Sequence, residues 1–94
     1  MRIVWTAAAL GDLRALRAYI AHDKPTAAVQ QVEHILAAVD GLMRFPESGR
    51  PGRRAGMREL VVGKTPYIVA YRLRGQAIEI IRVLHGRQRW PNIS

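Results

Sequence analysis

The chain has 94 residues, 49% of them hydrophobic and 23% charged, with 15 Lys+Arg against 7 Asp+Glu and no cysteine. That length holds one core, the composition excludes a disordered tail, and the lack of cysteine excludes disulfides and thiolate zinc sites. A formal charge of +8 favours an anionic partner, either nucleic acid or an acidic protein.

Arg2 to Trp5 reads as a short opening strand, since Ile3, Val4 and Trp5 are all β-favouring. Thr6 can cap a helix, and Ala9, Leu13, Leu16 and Ile20 then recur at helical intervals, with Asp12, Arg14 and Arg17 off the stripe. This helix is expected to end near His22. Pro25 suits the first turn of a second helix, because the N–H it lacks would be unpaired there anyway. Ala28, Val32, Ile35, Val39 and Leu42 carry its apolar stripe, so the two helices should form an antiparallel hairpin. Pro46 stops the pattern, and the stretch to Gly56 is loop by composition. After it the period changes to that of strands: Arg58 to Val62, Tyr67 to Tyr71, and Ile78 to Leu84, punctuated at Gly63 to Pro66 and at Gly75. The last run is apolar on both faces apart from Glu79 and Arg82, as an interior strand would be. A single α+β domain over 1–94 follows, in the order β-α-α-β-β-β, with the helical hairpin on one face of a small, mainly antiparallel sheet and nothing predicted to cover the other.

Charge follows the same division. Residues 1–47 hold five basic and five acidic groups, whereas residues 48–94 hold ten basic and two acidic. The basic half is therefore also the sheet half, and an open face lined by Arg58, Arg72 or Arg82 would form a basic platform. Strand register decides which of them point outward, and a slip of one residue reverses the answer.

Candidate motifs thin out quickly. Gly63-Lys64-Thr65 imitates a phosphate-binding loop, but Arg58 stands where that pattern needs glycine and a strand follows instead of a helix. His22 and His34 lack ligand spacing, so no metal or other cofactor is implied. Ser48 and Ser94, the only serines, lie outside regular elements, which argues against a hydrolytic triad. No run approaches the roughly 18 apolar residues of a membrane span. Asp12 and Arg14 interrupt the apolar stretch after Arg2 before it could act as a secretory leader, so a soluble, cytoplasmic protein is expected. The informative segment is His85-Gly86-Arg87-Gln88-Arg89-Trp90, which gathers an imidazole, two guanidiniums and an aromatic face at the exit of the last strand. His85 can serve as acid or base, arginine can stabilise phosphate charge, and Trp90 can stack on a base. Equally, His85 and Trp90 can simply close the end of the sheet.

These pieces, in order, resemble the RelE/ParE superfamily of toxins from type II toxin-antitoxin systems. The likeness covers nearly the whole chain. It rests on Trp5 with Asp12-Leu13, Tyr19-Ile20, Pro25 with Ala27-Ala28, Leu42 with Phe45-Pro46, Gly49-Arg50 and Arg58-Glu59-Leu60. It continues through Pro66-Tyr67-Ile68-Val69-Ala70-Tyr71-Arg72 and the run from Ile78 to Arg87. The resemblance implies a growth inhibitor held silent in a hetero-oligomer by a cognate acidic antitoxin, with Leu13, Leu16, Ile20, Tyr67 and Tyr71 expected to meet it. Two activities diverge within the superfamily. ParE-like members poison DNA gyrase; RelE-like members cleave mRNA on the ribosome. The Tyr67 to Arg72 run and the Arg82-Val83-Leu84-His85-Gly86-Arg87 ending look more ParE-like, and Ile68 stands where interferases often carry arginine. A gyrase poison would meet its target through Arg58, Arg72, Arg87, Arg89 and Trp90. The alternative, an mRNA interferase, would use His85, Arg82 and Arg87 as its catalytic groups; a nucleic-acid-binding module without toxicity is the second alternative.

Overall fold

Thr6 shows how the first strand becomes a helix. Its hydroxyl accepts from the Ala9 N–H at 3.1 Å, capping the helix start, and donates to the Ile81 carbonyl at 3.0 Å, fastening that start to the last strand. The computed structural model describes residues 1–91 and contains β1 (Arg2–Trp5), α1 (Ala7–Asp23), α2 (Pro25–Gly41), β2 (Arg50–Pro51), β3 (Arg58–Val61), β4 (Tyr67–Arg74) and β5 (Ala77–His85). Lys24 alone joins the helices: its N–H closes α1 on the Ile20 carbonyl, and its own carbonyl accepts from Ala28 in the first turn of α2. Pro25 sits at the start of α2.

The five strands form one sheet in the order β1-β5-β4-β3-β2, in which β1 runs parallel to β5 and every other pair is antiparallel. β5 is thus interior. Both helices lie on one face, as the sequence predicts. A two-residue β2 appears inside the stretch read as loop, because Arg50 and Pro51 pair with Glu59 and Arg58; so short a strand has no period to detect. The β4–β5 turn places Gly75 at φ +57°, the left-handed backbone that a two-residue hairpin favours glycine for.

The core lies between the helices and one sheet face. Ala9 and Leu16 of α1 and Ile35 and Val39 of α2 pack with Tyr67, Val69, Tyr71, Ile78, Ile80 and Val83. On the far face, Ile68, Ala70, Leu84 and Glu59 are also buried. This corrects the expectation of an uncovered face. The turn after β2 folds over it, with the Arg53 N–H donating to Glu59 at 2.8 Å and the Arg53 guanidinium stacking 4.1 Å from the Trp90 ring. The C-terminal segment enters above Ile68 through Gly86, whose N–H donates to the Pro66 carbonyl at 2.8 Å.

Candidate functional site

β1 ends at Trp5, paired with Ile80, which leaves the remainder of that edge of β5 without a neighbouring strand. There β5 carries a bulge, since Tyr71 pairs with Ile80 and Ala70 with Arg82, so that Ile81 is the extra residue. α1 covers the exposed edge. Asp12 accepts from the Val83 N–H at 2.9 Å and takes Arg82 in a two-pronged grip, 2.7 Å from Nε and 2.8 Å from the terminal nitrogen. Those hydrogen bonds, opposed by desolvation, hold the Arg82 pKa above its ordinary value. Arg82 is therefore a strut between helix and sheet.

His85 pairs across the sheet with Tyr67, and both side chains lie on the helix side. The rings meet edge to face, with centroids 5.6 Å apart. The Arg87 N–H donates to His85 Nδ1 at 3.1 Å, and Gln88 accepts from the His85 N–H at 3.3 Å, so the ring presents Nε2 outward. Together with Asp12, Leu16, Tyr19 and Gln88 they line a cleft of about 380 Å³ between α1 and the end of the sheet. Burial, and secondarily Tyr19, pushes the Tyr67 pKa up. Tyr19 itself is 81% exposed. No signal in the helical stripe singles it out, because it lies just off that stripe.

The other predicted residues scatter. Arg58 donates to the Glu47 and Gly49 carbonyls at 3.1 and 2.8 Å, which makes it a clamp on the loop after α2. Arg72 is held by Glu79 at 2.6 Å on the far face, and Glu79 is shared with Arg74 at 3.5 Å. Arg50 and Arg53 are held by the buried Glu59. Much of the surplus charge in the second half therefore props the fold and does not form one platform. Arg87 and Arg89 are exposed and carry no ion pair among the described residues, and Trp90 is half-buried beneath Arg53. Ser94 lies outside the described residues. Among those described, no group of three His, Asp or Glu could hold a metal ion, and no helix is long and apolar enough to cross a membrane.

Of the residues expected to meet an antitoxin, Leu16, Tyr67 and Tyr71 belong to the core, with Leu13 and Ile20 packed against it. Tyr71 has no accessible surface. The physical reason is that a hairpin lying on a sheet turns its apolar stripe inward, which leaves that stripe little to offer another chain. The large apolar side chains left exposed are different ones, including Tyr19, Val29, Leu36, Met43, Phe45 and Val61.

Residues 3–90 match the family model for the ParE toxin of type II toxin-antitoxin systems, parDE. The protein Y4kP of Sinorhizobium fredii is 47% identical over 92 residues, spanning 98% of this chain and 95% of its own. Toxin RelE2 of Caulobacter vibrioides is 39% identical over 85 residues, spanning 90% of this chain and 94% of its own. A solved chain of the chromosomal ParDE TA system from P. aeruginosa superposes with a TM-score of 0.83 at 28% identity, covering 90% of this chain and 95% of that one.

Proposed function

Since the chain belongs to the ParE toxin family of type II toxin-antitoxin systems, we propose that it arrests growth by acting on DNA gyrase in the cytoplasm, without catalysing a reaction of its own. An acidic antitoxin silences it. The observation that carries the gyrase reading is the state of Arg82. Ribosome-dependent cleavage needs one group to activate the ribose hydroxyl, one to stabilise the phosphate and one to protonate the leaving oxygen. Of the three residues expected to share that work, Arg82 is occupied by Asp12. His85 packs on Tyr67 on the helix side, and Ile68 stands where interferases often carry arginine. Of the arginines expected to meet the target, Arg87 and Arg89 at the strand exit are the two that are exposed and carry no ion pair among the described residues. Likeness to a protein named toxin RelE2 is what favours the alternative, an mRNA interferase.

The test uses purified gyrase and plasmid DNA without ribosomes. Accumulation of cleaved DNA complexes, lost when Arg87 and Arg89 are both changed to alanine, is the expected result. If gyrase is untouched while a translating extract shows mRNA cleavage abolished by His85→Ala, the interferase reading replaces it.

A further inference from the structure

The segment that leaves β5 is pinned at two places. The Gly86 N–H donates to the Pro66 carbonyl at 2.8 Å, and the Trp90 ring lies against the Arg53 guanidinium, 4.1 Å from its central carbon to the ring centroid. The Trp90 indole nitrogen is shut off from solvent. Arg87, Gln88 and Arg89 bridge the two anchors, and all three are exposed. Within that bridge the backbone turns sharply, with the Gln88 N–H donating to the His85 carbonyl at 2.9 Å and the Arg87 N–H to His85 Nδ1 at 3.1 Å. An arch fastened at both ends has less freedom to lose when a partner takes its two guanidiniums than a tail fastened at one.

Arg53 reaches that ring from a turn that does not need its side chain. The Gly52 N–H donates to the Met57 carbonyl at 2.7 Å, the Met57 N–H to the Arg54 carbonyl at 3.1 Å, and the backbone N–H of Arg53 to Glu59 Oε2 at 2.8 Å. Glu59, buried on β3, takes Arg50 at 3.3 Å through its other oxygen. The Arg53 side chain approaches Glu59 at 3.5 Å, a longer contact than any of these. What its guanidinium covers is the Trp90 face, and tryptophan is the ring that attracts a cation most strongly. Glu59 therefore fixes the turn chiefly through the backbone, and the Arg53 side chain is left to hold Trp90.

We infer that Arg53 is a positioning residue for the target contact: its stack on Trp90 closes the arch that presents Arg87 and Arg89. This rests on the gyrase reading, in which those two arginines meet the target, and adds how their geometry is set. The stack can bias the arch by no more than its own strength, so its loss weakens target binding by about 5- to 10-fold. The fold itself loses little, because the turn keeps its three backbone hydrogen bonds and Gly86 keeps its own.

The experiment titrates the full chain and its variants into purified gyrase with plasmid DNA, and reads the toxin concentration giving half the maximal cleaved complex together with the plateau. Arg53→Ala is expected to raise that concentration about 5- to 10-fold, with the plateau and the unfolding temperature kept. Trp90→Ala should match it. Trp90→Phe should restore most of the loss, because a ring remains to stack, whereas Trp90→Leu should not. The Arg53→Ala, Trp90→Ala double variant should be no worse than either single one, since both break one contact. In a Trp5→Phe background, where Trp90 is the one tryptophan left, Arg53→Ala should move the emission to longer wavelength as the ring is released. An unmoved emission overturns the inference, and so does a released ring with unchanged half-maximal concentration. Additive losses in the double variant overturn it too, because Arg53 or Trp90 would then touch the target directly, as does equal activity of Trp90→Phe and Trp90→Leu. Failure of the gyrase reading looks different: the wild-type chain itself would leave gyrase untouched while the Trp90 emission still answered to Arg53→Ala, and the inference would fall with that reading.

Discussion

Replacing Asp12 by alanine tests whether Arg82 is a strut or a free cation. The substitution removes three acceptor contacts at once, to Arg82 Nε at 2.7 Å, to its terminal nitrogen at 2.8 Å and to the Val83 N–H at 2.9 Å. A hydrogen bond to a charged group contributes about 1.5–3 kcal/mol. Neither partner is dry, with side-chain exposures of 23% for Arg82 and 16% for Asp12, so water recovers part of each bond. The expected net loss is about 2–3 kcal/mol, against a total of about 5–14 kcal/mol for a chain of this length. Urea unfolding followed by far-ultraviolet circular dichroism reads this directly, and the melting temperature should fall by roughly 10–20 °C. Arg82→Ala should cost less, about 1–2 kcal/mol, because Asp12 keeps its bond to Val83. The double mutant then shows positive coupling between the two sites. A loss below about 0.5 kcal/mol in Asp12→Ala, or an Arg82→Ala protein of wild-type stability that no longer arrests growth, would refute the structural role and restore Arg82 as a candidate for chemistry.

Glycine substitutions at two sites should act with opposite sign. A Cβ on Gly49 would lie 2.6 Å from Tyr71 Cε1 in a place where the ring cannot yield, so Gly49→Ala is expected to destabilise by about 1–3 kcal/mol. Gly11, exposed within α1 with nothing near its Cβ direction, should gain about 1 kcal/mol as alanine; chemical denaturation of both variants checks the pair. The hydrogen bond from Arg72, aided by the charges of Arg74 and Arg72 against desolvation, holds the Glu79 pKa below its ordinary value. Its ion pair therefore stabilises the fold above the ordinary glutamate pKa of about 4.3 and is lost as pH falls through the lowered value. Wild type should melt above Glu79→Gln at pH 7, and the gap should close in acid; a gap unchanged at low pH would contradict the pairing. In an alkaline titration read at 295 nm, one tyrosine transition should lie above the ordinary value of about 10 and vanish in Tyr67→Phe.

Tyr71 and Arg58 looked, from sequence, like surface for partners. In the fold they hold the loop from Pro46 to Gly49, Tyr71 through the Pro46 carbonyl and the Gly49 N–H, Arg58 through the Glu47 and Gly49 carbonyls.

What the amino-acid order decided by itself was local. The spacing of Ala9, Leu13, Leu16 and Ile20, the cap at Thr6, the proline at position 25 and the change of period after Gly56 are sufficient to place both helices, four of the five strands and their order, because each depends on neighbours within a few residues. The family likeness was legible for the same reason, being carried by short runs in sequence. The roles of the arginines were not. Arg82 meets an aspartate 70 residues away, Arg58 meets carbonyls of a loop about ten residues back, and the bulge at Ile81 shifts the register that a simple alternation would assign. Pattern records which side chains are charged, but a charge becomes strut or contact only when the fold brings an opposite group within hydrogen-bonding reach, and that distance exists only in three dimensions.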